Sequence, residues 1–295
     1  MAPNPRCLTL IIPLILLLGC ADASQDGASP PVCSKRSLQG TYLYQIIGRD
    51  AVPEGQVTAG PYAEAGMDLY DGNGQVTTTY SSSREQGTQI IGHYDIQADC
   101  SGQIVYPGTD GPLRRYQVYV DPAGSRLAFI DVTDTSRGYL LGGEKLRVAA
   151  QTAPLANCST QTLSGTFTYS VEGAVTTEQG LKLFREAGME SYDGAGNNIA
   201  NRYTDNQGVT ATIAGQYDIR PNCQGTATYA SGGRYELYVD PLGQWFAFID
   251  LTAGAQRGGK NHLISRQRLV EGAQVVPVDT FNFTGQRTGG TSAPR

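Results

Sequence analysis

The sequence predicts an all-β protein: two tandem antiparallel up-and-down eight-stranded barrels related by an internal duplication. Three observations predict it. One unit is written twice along the chain, its residues suit short strands joined by tight turns, and each copy carries a matched pair of cysteines. Only 17% of the 295 residues are charged, while 37 are glycine and 17 are tyrosine. Charge this sparse argues against a coiled coil or a charge-rich disordered chain. A net charge of -5 gives no basic footprint for nucleic acid, and two histidines leave little for histidine-based metal or triad chemistry.

The repeat is explicit. Cys33-Ser34, Leu38, Gly40-Thr41 and Tyr44 return as Cys158-Ser159, Leu163, Gly165-Thr166 and Tyr169. Glu64-Ala65-Gly66-Met67 and Tyr70-Asp71-Gly72 return as Glu186-Ala187-Gly188-Met189 and Tyr192-Asp193-Gly194. Tyr94-Asp95-Ile96, Tyr119-Val120-Asp121-Pro122 and Ala128-Phe129-Ile130-Asp131 match Tyr217-Asp218-Ile219, Tyr238-Val239-Asp240-Pro241 and Ala247-Phe248-Ile249-Asp250. A period of about 120 to 125 residues suits an independent domain rather than a solenoid unit.

Within the first copy, strands are expected near Gly40-Ile47, Tyr62-Tyr70, Gln75-Ser82, Gln89-Ile96, Gln103-Tyr106, Arg115-Val120, Arg126-Val132 and Tyr139-Val148. Asp71-Gly72 and Asp193-Gly194 read as type I′ hairpin turns, in which both central residues take positive φ. Asp121-Pro122-Ala123-Gly124 suits a type I turn. Alternation sends Tyr116, Val118 and Val120 to one face and Gln117 and Tyr119 to the other. Eight hairpin-linked strands keep two open edges unless the sheet closes, and closure leaves an interior sized for side chains or one small ligand. A single sixteen-stranded membrane barrel would need an apolar band on every strand. Gln75-Val76-Thr77-Thr78-Thr79 and Asn197-Asn198-Ile199-Ala200-Asn201 do not supply one. In outline each copy resembles lipocalin-like and allene-oxide-cyclase-like barrels, although Tyr42 and Phe167 stand where a lipocalin places its tryptophan.

At the N-terminus, Arg6 precedes a mostly apolar run from Leu8 to Leu18, of signal-peptide length and too short to span a bilayer. It ends in Leu17-Leu18-Gly19-Cys20, which resembles the bacterial lipobox. The resemblance implies cleavage before Cys20, acylation of that cysteine and membrane anchoring in the cell envelope; several acyl chains anchor stably where one holds only marginally. The expected organisation is a signal peptide at 1–19, a lipidated cysteine and tether at 20–37, a first barrel at 38–150, a linker at 151–162, a second barrel at 163–271 and a mobile tail at 272–295.

Cys7 leaves with the signal, so Cys33, Cys100, Cys158 and Cys223 remain. Four cysteines allow three pairings. The pairing that duplication would produce is Cys33 with Cys100 and Cys158 with Cys223, in an oxidising compartment. No C-x-x-C spacing points to a metal, and the sequence calls for no metal and no cofactor. Asp71-Gly72-Asn73-Gly74 begins like a calcium loop but lacks the later bidentate acid. Gln216 occupies the place equivalent to His93 in the second copy, so a His-based mechanism would exist in the first barrel only; His93, and His262 on the last strand of the second barrel, read as surface or hydrogen-bonded histidines. Asn157 and Asn282 open glycosylation sequons that would stay idle in a bacterium.

The acids present in both copies are the candidates for chemistry: Glu64 and Glu186, Asp95 and Asp218, Asp131 and Asp250. Asp131 shares a face with Leu127 and Phe129, and Asp250 with Phe246 and Phe248. A carboxyl among apolar side chains has a raised pKa and could serve as an acid or base. The structural alternative pairs Asp131 with Arg137 and Asp250 with Arg257. No Gly-x-Ser-x-Gly, phosphate loop or zincin motif is present. The leading expectation is a non-enzymatic envelope lipoprotein that binds a small apolar or amphipathic ligand, or an envelope protein partner. A barrel cyclase or isomerase using one buried carboxylate is the alternative, and a structural or adhesive surface module the third. Barrel interior volume discriminates them: a cavity above ~300 Å³ with a buried acid favours ligand handling, whereas filled interiors leave surface recognition.

Overall fold

The computed structural model describes residues 32–49, 60–107, 113–133 and 141–265. The signal run, Cys20, the 272–295 tail and Arg137 lie outside the described residues. The first barrel comprises β1 (Gln39–Arg49), β2 (Pro61–Asp71), β3 (Gln75–Ser82), β4 (Thr88–Ile96), β5 (Ser101–Tyr106), β6 (Arg114–Val120), β7 (Arg126–Asp131) and β8 (Gly142–Ala149). The second comprises β9 (Ser164–Thr177), β10 (Gly180–Asp193), β11 (Asn197–Asp205), β12 (Thr210–Ile219), β13 (Gln224–Tyr229), β14 (Arg234–Val239), β15 (Trp245–Asp250) and β16 (Ala255–Ser265). Each strand pairs antiparallel with its neighbours in sequence. β8 closes on β1 and β16 on β9, so neither sheet has an edge.

The disulfides Cys33–Cys100 and Cys158–Cys223 form, each pinning the entry segment of a barrel to the turn after its fourth strand. With sequence separations of 67 and 65, each stabilises by roughly 4 kcal/mol in the chain-entropy model. Cys100 and Cys223 share the left-handed backbone region, at φ 67° and 65°. Gly124 and Gly243 are required at their turns. Each has φ near 60° (63° and 61°), and a Cβ would fall 2.1 Å from the carbonyl oxygen of Ser37 or Thr162.

The Asp-Gly hairpins are present with different geometry from the type I′ turn expected. Asp71 does not take positive φ; Gly72 (78°) and Gly74 (117°) do, making a three-residue loop. The Asp71 carboxylate accepts the N–H groups of Asn73 (2.7 Å), Gly74 (3.0 Å) and Gln75 (2.9 Å), and Asp193 repeats the arrangement with Ala195 and Asn197. The aspartate therefore caps the turn instead of bending through it. These three bonds outweigh burial and hold the Asp71 carboxyl below its ordinary range.

Alternation fills each interior. Leu127, Phe129 and Asp131 of β7 are buried while Ile130 between them is 54% exposed. β15 breaks this pattern, since all six residues Trp245–Asp250 are buried. Its inner face carries Phe246, Phe248 and Asp250. Its outer face, Trp245, Ala247 and Ile249, packs with Tyr238 against Leu43, Ala63 and Ala65 of the first barrel. Ser81 donates a 2.5 Å bond to buried Glu236 across this contact, and Arg220 approaches the same carboxylate at 3.7 Å.

Candidate functional site

The inward face of β2 carries Tyr62, Glu64, Asp68 and Tyr70, and that of β10 carries Phe184, Glu186, Glu190 and Tyr192 at the equivalent places. β2 and β10 therefore each point two carboxylates into their barrel. In the first, Glu64 is sealed. Its two oxygens accept the hydroxyls of Tyr44 (2.6 Å) and Tyr62. Burial pushes its carboxyl above the ordinary range against the opposing pull of both hydroxyls and of Arg114 and Lys145. Asp68 accepts hydroxyls from Tyr70 (2.8 Å) and Thr78 (2.7 Å) and forms an ion pair with Lys145. That ammonium also lies 4.2 Å over the Tyr44 ring and 4.9 Å over Phe129.

In the second barrel the cation is missing. Lys145 sits opposite Tyr44 in the β1–β8 register, and Asn261 sits opposite Tyr169 in the β9–β16 register. Glu190 is held by neutral donors: Tyr192 (2.7 Å), Asn201 (2.9 Å), Asn261 (2.5 Å) and Tyr229. Burial raises its carboxyl, with these donors opposing. Asp68, Glu190 and Lys145 escape a reading based on identical residues, because the acid changes from Asp to Glu and the lysine to Asn.

Among the predicted acids, Asp250 accepts the Arg257 side chain (2.7 Å) and the Thr252 N–H (2.8 Å), the structural pairing expected. Asp131 makes the equivalent bond to the Thr133 N–H (2.8 Å); its pairing with Arg137 lies outside the described residues. Asp95 and Asp218 are on the outer surface, where Asp95 faces Lys35 at 3.4 Å and Asp218 accepts from Thr160 at 3.2 Å. His93 is exposed, and exposed His262 stacks on Trp245 with centroids 6.2 Å apart.

Glu186 differs from its counterpart Glu64. One oxygen accepts the Tyr169 hydroxyl at 2.6 Å, but Phe184 stands where Tyr62 supplies the second hydroxyl. The Arg257 guanidinium packs 4.0 Å over the Phe184 ring instead. Glu186 is left partly exposed at the barrel mouth. Burial still raises its carboxyl, opposed by Tyr169 and Arg257 and reinforced by Asp205 and Asp250.

Among the described residues, little open volume lies inside the second barrel. Inside the second barrel, between Glu186, Glu190 and Tyr229, the cavity is about 20 Å³, room for about one water. The expectation of a ligand chamber inside this barrel is therefore corrected: tyrosine, phenylalanine and the Glu190 network fill it. Outside, on the outer face of β9, β10 and β11, a cleft of about 460 Å³ is lined chiefly by Ser170, Glu172, Arg185, Ala187, Thr204 and Asn206, with the inward-facing Glu186 and Asp205 also at its wall. It adjoins a groove of about 620 Å³ between the β9–β10 hairpin and the first barrel, walled by Ile47, Pro61, Tyr62, Leu181, Leu183 and Phe184. Glu172, Arg185 and Asn206 border both.

The fold defines a tandem eight-stranded β-barrel protein, and its disulfides suggest an oxidising, extracytoplasmic setting. No family model matches the chain. No curated protein matches it either. Among solved structures it is similar to a protein of unknown function from the DUF3598 family of Nostoc punctiforme, at 9% identity and TM-score 0.22, covering 76% of this chain and 94% of that one. It is also similar to kievitone hydratase from Nectria haematococca, at 6% identity and TM-score 0.24, covering 82% and 95%. Likenesses at this level carry no argument about function.

Proposed function

We propose that this protein is a lipid-anchored envelope protein that binds a small amphipathic molecule in the groove beside the β9–β10 hairpin of the second barrel. One observation carries the reading: an apolar groove of about 620 Å³ adjoins a polar cleft of about 460 Å³ across Glu172, Arg185 and Asn206, each within the range of small-molecule sites of about 300–1,000 Å³. Leu181 and Leu183 support it, being 53% and 78% exposed on that groove. The filled interior of the second barrel moves recognition to the outer surface; a broad adhesive face has less support than the groove, because Tyr119 is the one strongly exposed aromatic side chain among the described residues. Titration of short-chain amphiphiles tests the reading. Leu183→Asp should weaken binding at least tenfold, and binding that ignores this substitution overturns the site. The anchor rests on Leu17-Leu18-Gly19-Cys20; Cys20→Ser should release the protein from membranes, and continued retention contradicts acylation.

A raised and partly exposed carboxyl at the end of the barrel favours a second reading, in which Glu186 acts as a general acid on a molecule that reaches it. Mass spectrometry of the ligand after incubation separates the two: recovery unchanged supports binding, and conversion abolished by Glu186→Gln supports catalysis.

A further inference from the structure

The two barrels meet head to tail. The first presents the outer face of β1 and β2, where Leu43, Gln45 and Ile47 lie beside Ala63, Ala65 and Met67. The second presents β14 and β15, where Glu236 and Tyr238 lie beside Trp245, Ala247 and Ile249. Because each barrel contributes a different part of the shared plan, the joint is heterologous, and a heterologous joint leaves one unmatched face at each end. We infer that a second copy of this chain is the partner those end faces are shaped for, and that Arg126 at one end and Thr168, Glu172 and Arg185 at the other keep it off.

Register fixes the correspondence. Leu43–Met67, Gln45–Ala65 and Ile47–Ala63 are opposite across β1 and β2, as Thr168–Met189, Ser170–Ala187 and Glu172–Arg185 are across β9 and β10. Tyr238–Ala247 and Glu236–Ile249 are opposite across β14 and β15, as Tyr119–Ala128 and Gln117–Ile130 are across β6 and β7. The first barrel therefore carries, on β6 and β7, the counterpart of the face that the second barrel buries. Tyr119, Ala128 and Ile130 keep the residue types of Tyr238, Ala247 and Ile249, and all three are exposed. The bond across the joint has a counterpart too. Ser81, opposite Ala65, donates to Glu236, and the equivalent positions hold Thr204, opposite Ala187, and Gln117.

Charge is what separates the end faces from the joint. Arg126 stands where the second barrel has Trp245, and Thr168, Glu172 and Arg185 stand where the first has Leu43, Ile47 and Ala63. In the joint Leu43, Ala63 and Trp245 are buried in one apolar cluster, with Ile47 packed against it. A guanidinium or carboxylate placed there would lose its water, a cost repaid only by a well-placed partner. On the end faces each charge is matched in solvent within its own barrel: Arg126 approaches Glu144 at 4.0 Å and Arg185 approaches Glu172 at 3.1 Å. Docking a second copy would strip both pairs of solvent, so pairing stops at two barrels within one chain.

Sedimentation velocity of the full chain tests this. Arg126→Trp gives one end the residue of the joint, and the triple substitution Thr168→Leu, Glu172→Ile, Arg185→Ala does the same for the other. Each variant alone should sediment as a single chain, as the wild type should, because its opposite end still carries charge. Mixed, the two should form a one-to-one complex at least tenfold tighter than any wild-type association. All four substitutions in one chain should give oligomers that grow with concentration. Trp245→Arg makes the reverse exchange and needs neither of the other variants to fold: it should part the barrels and enlarge the chain in small-angle scattering. Wild-type association that Tyr119→Glu abolishes, folded variants that fail to pair when mixed, or an unaltered shape in Trp245→Arg would each overturn the inference.

Discussion

The two barrels share one backbone plan and neutralise their interiors differently. The first matches a buried carboxylate, Asp68, to a buried ammonium, Lys145, and seals Glu64 beneath two tyrosine hydroxyls. The second surrounds Glu190 with amides and hydroxyls, and loses a hydroxyl at Phe184, so Glu186 faces the mouth. Duplication preserves the strand ladder because register is fixed by which face is buried. It leaves interior polar residues free to diverge as long as each central acid keeps its donors. The first copy thus buries its acid Glu64 beneath two hydroxyls, while the second leaves Glu186 partly exposed.

The largest expected difference comes from removing the central acid of each barrel. Asp68→Asn strands Lys145 in the interior and should cost about 3–5 kcal/mol in urea denaturation. Glu190→Gln leaves no cation behind and should cost far less. It should also flatten a pH dependence. Because the Glu190 carboxyl is raised in the folded state, folding holds its proton more tightly than the unfolded chain does. That contribution is fully present below the unfolded carboxyl value of about 4.3 and is lost as pH rises through the folded one. Equal slopes in wild type and Glu190→Gln would place the proton elsewhere.

Next in size, opening either disulfide by paired Cys→Ala substitution should cost about 2–5 kcal/mol, and similar amounts in both barrels because the closed loops are nearly equal. A loss confined to one barrel would mean that the other is held chiefly by their shared interface.

The smallest pair of effects exchanges the feature that distinguishes the mouths. Tyr62→Phe removes a donor from sealed Glu64 and should destabilise by about 1–3 kcal/mol. Phe184→Tyr adds one at a half-exposed carboxyl and should change stability by under about 1 kcal/mol. Thermal denaturation compares them, and equal effects would show that Glu64 and Glu186 are equally buried.

The barrel plan was legible because turn chemistry, alternation and duplicated cysteines are local signals that agree. Asp250–Arg257 was legible too, since the two residues are joined across one turn. Asp68–Lys145 was not, because its partners are 77 residues apart and meet only when β8 closes on β1. The interface between barrels left a trace that position-by-position matching passes over: Trp245 replaces Arg126, and Tyr238 is buried where Tyr119 is 58% exposed. The Tyr62 to Phe184 change was visible as a mismatch, but its meaning depends on the reach of a hydroxyl to a carboxylate, which needs coordinates.

The most direct test of the central claim, that the second barrel's interior is filled by the Glu190 network and binding falls to the groove outside it, is a crystal structure of the full chain grown with 1-octanol. The account predicts the molecule along Leu181 and Leu183 in that groove. The same molecule inside the second barrel, beside Glu190, would contradict it.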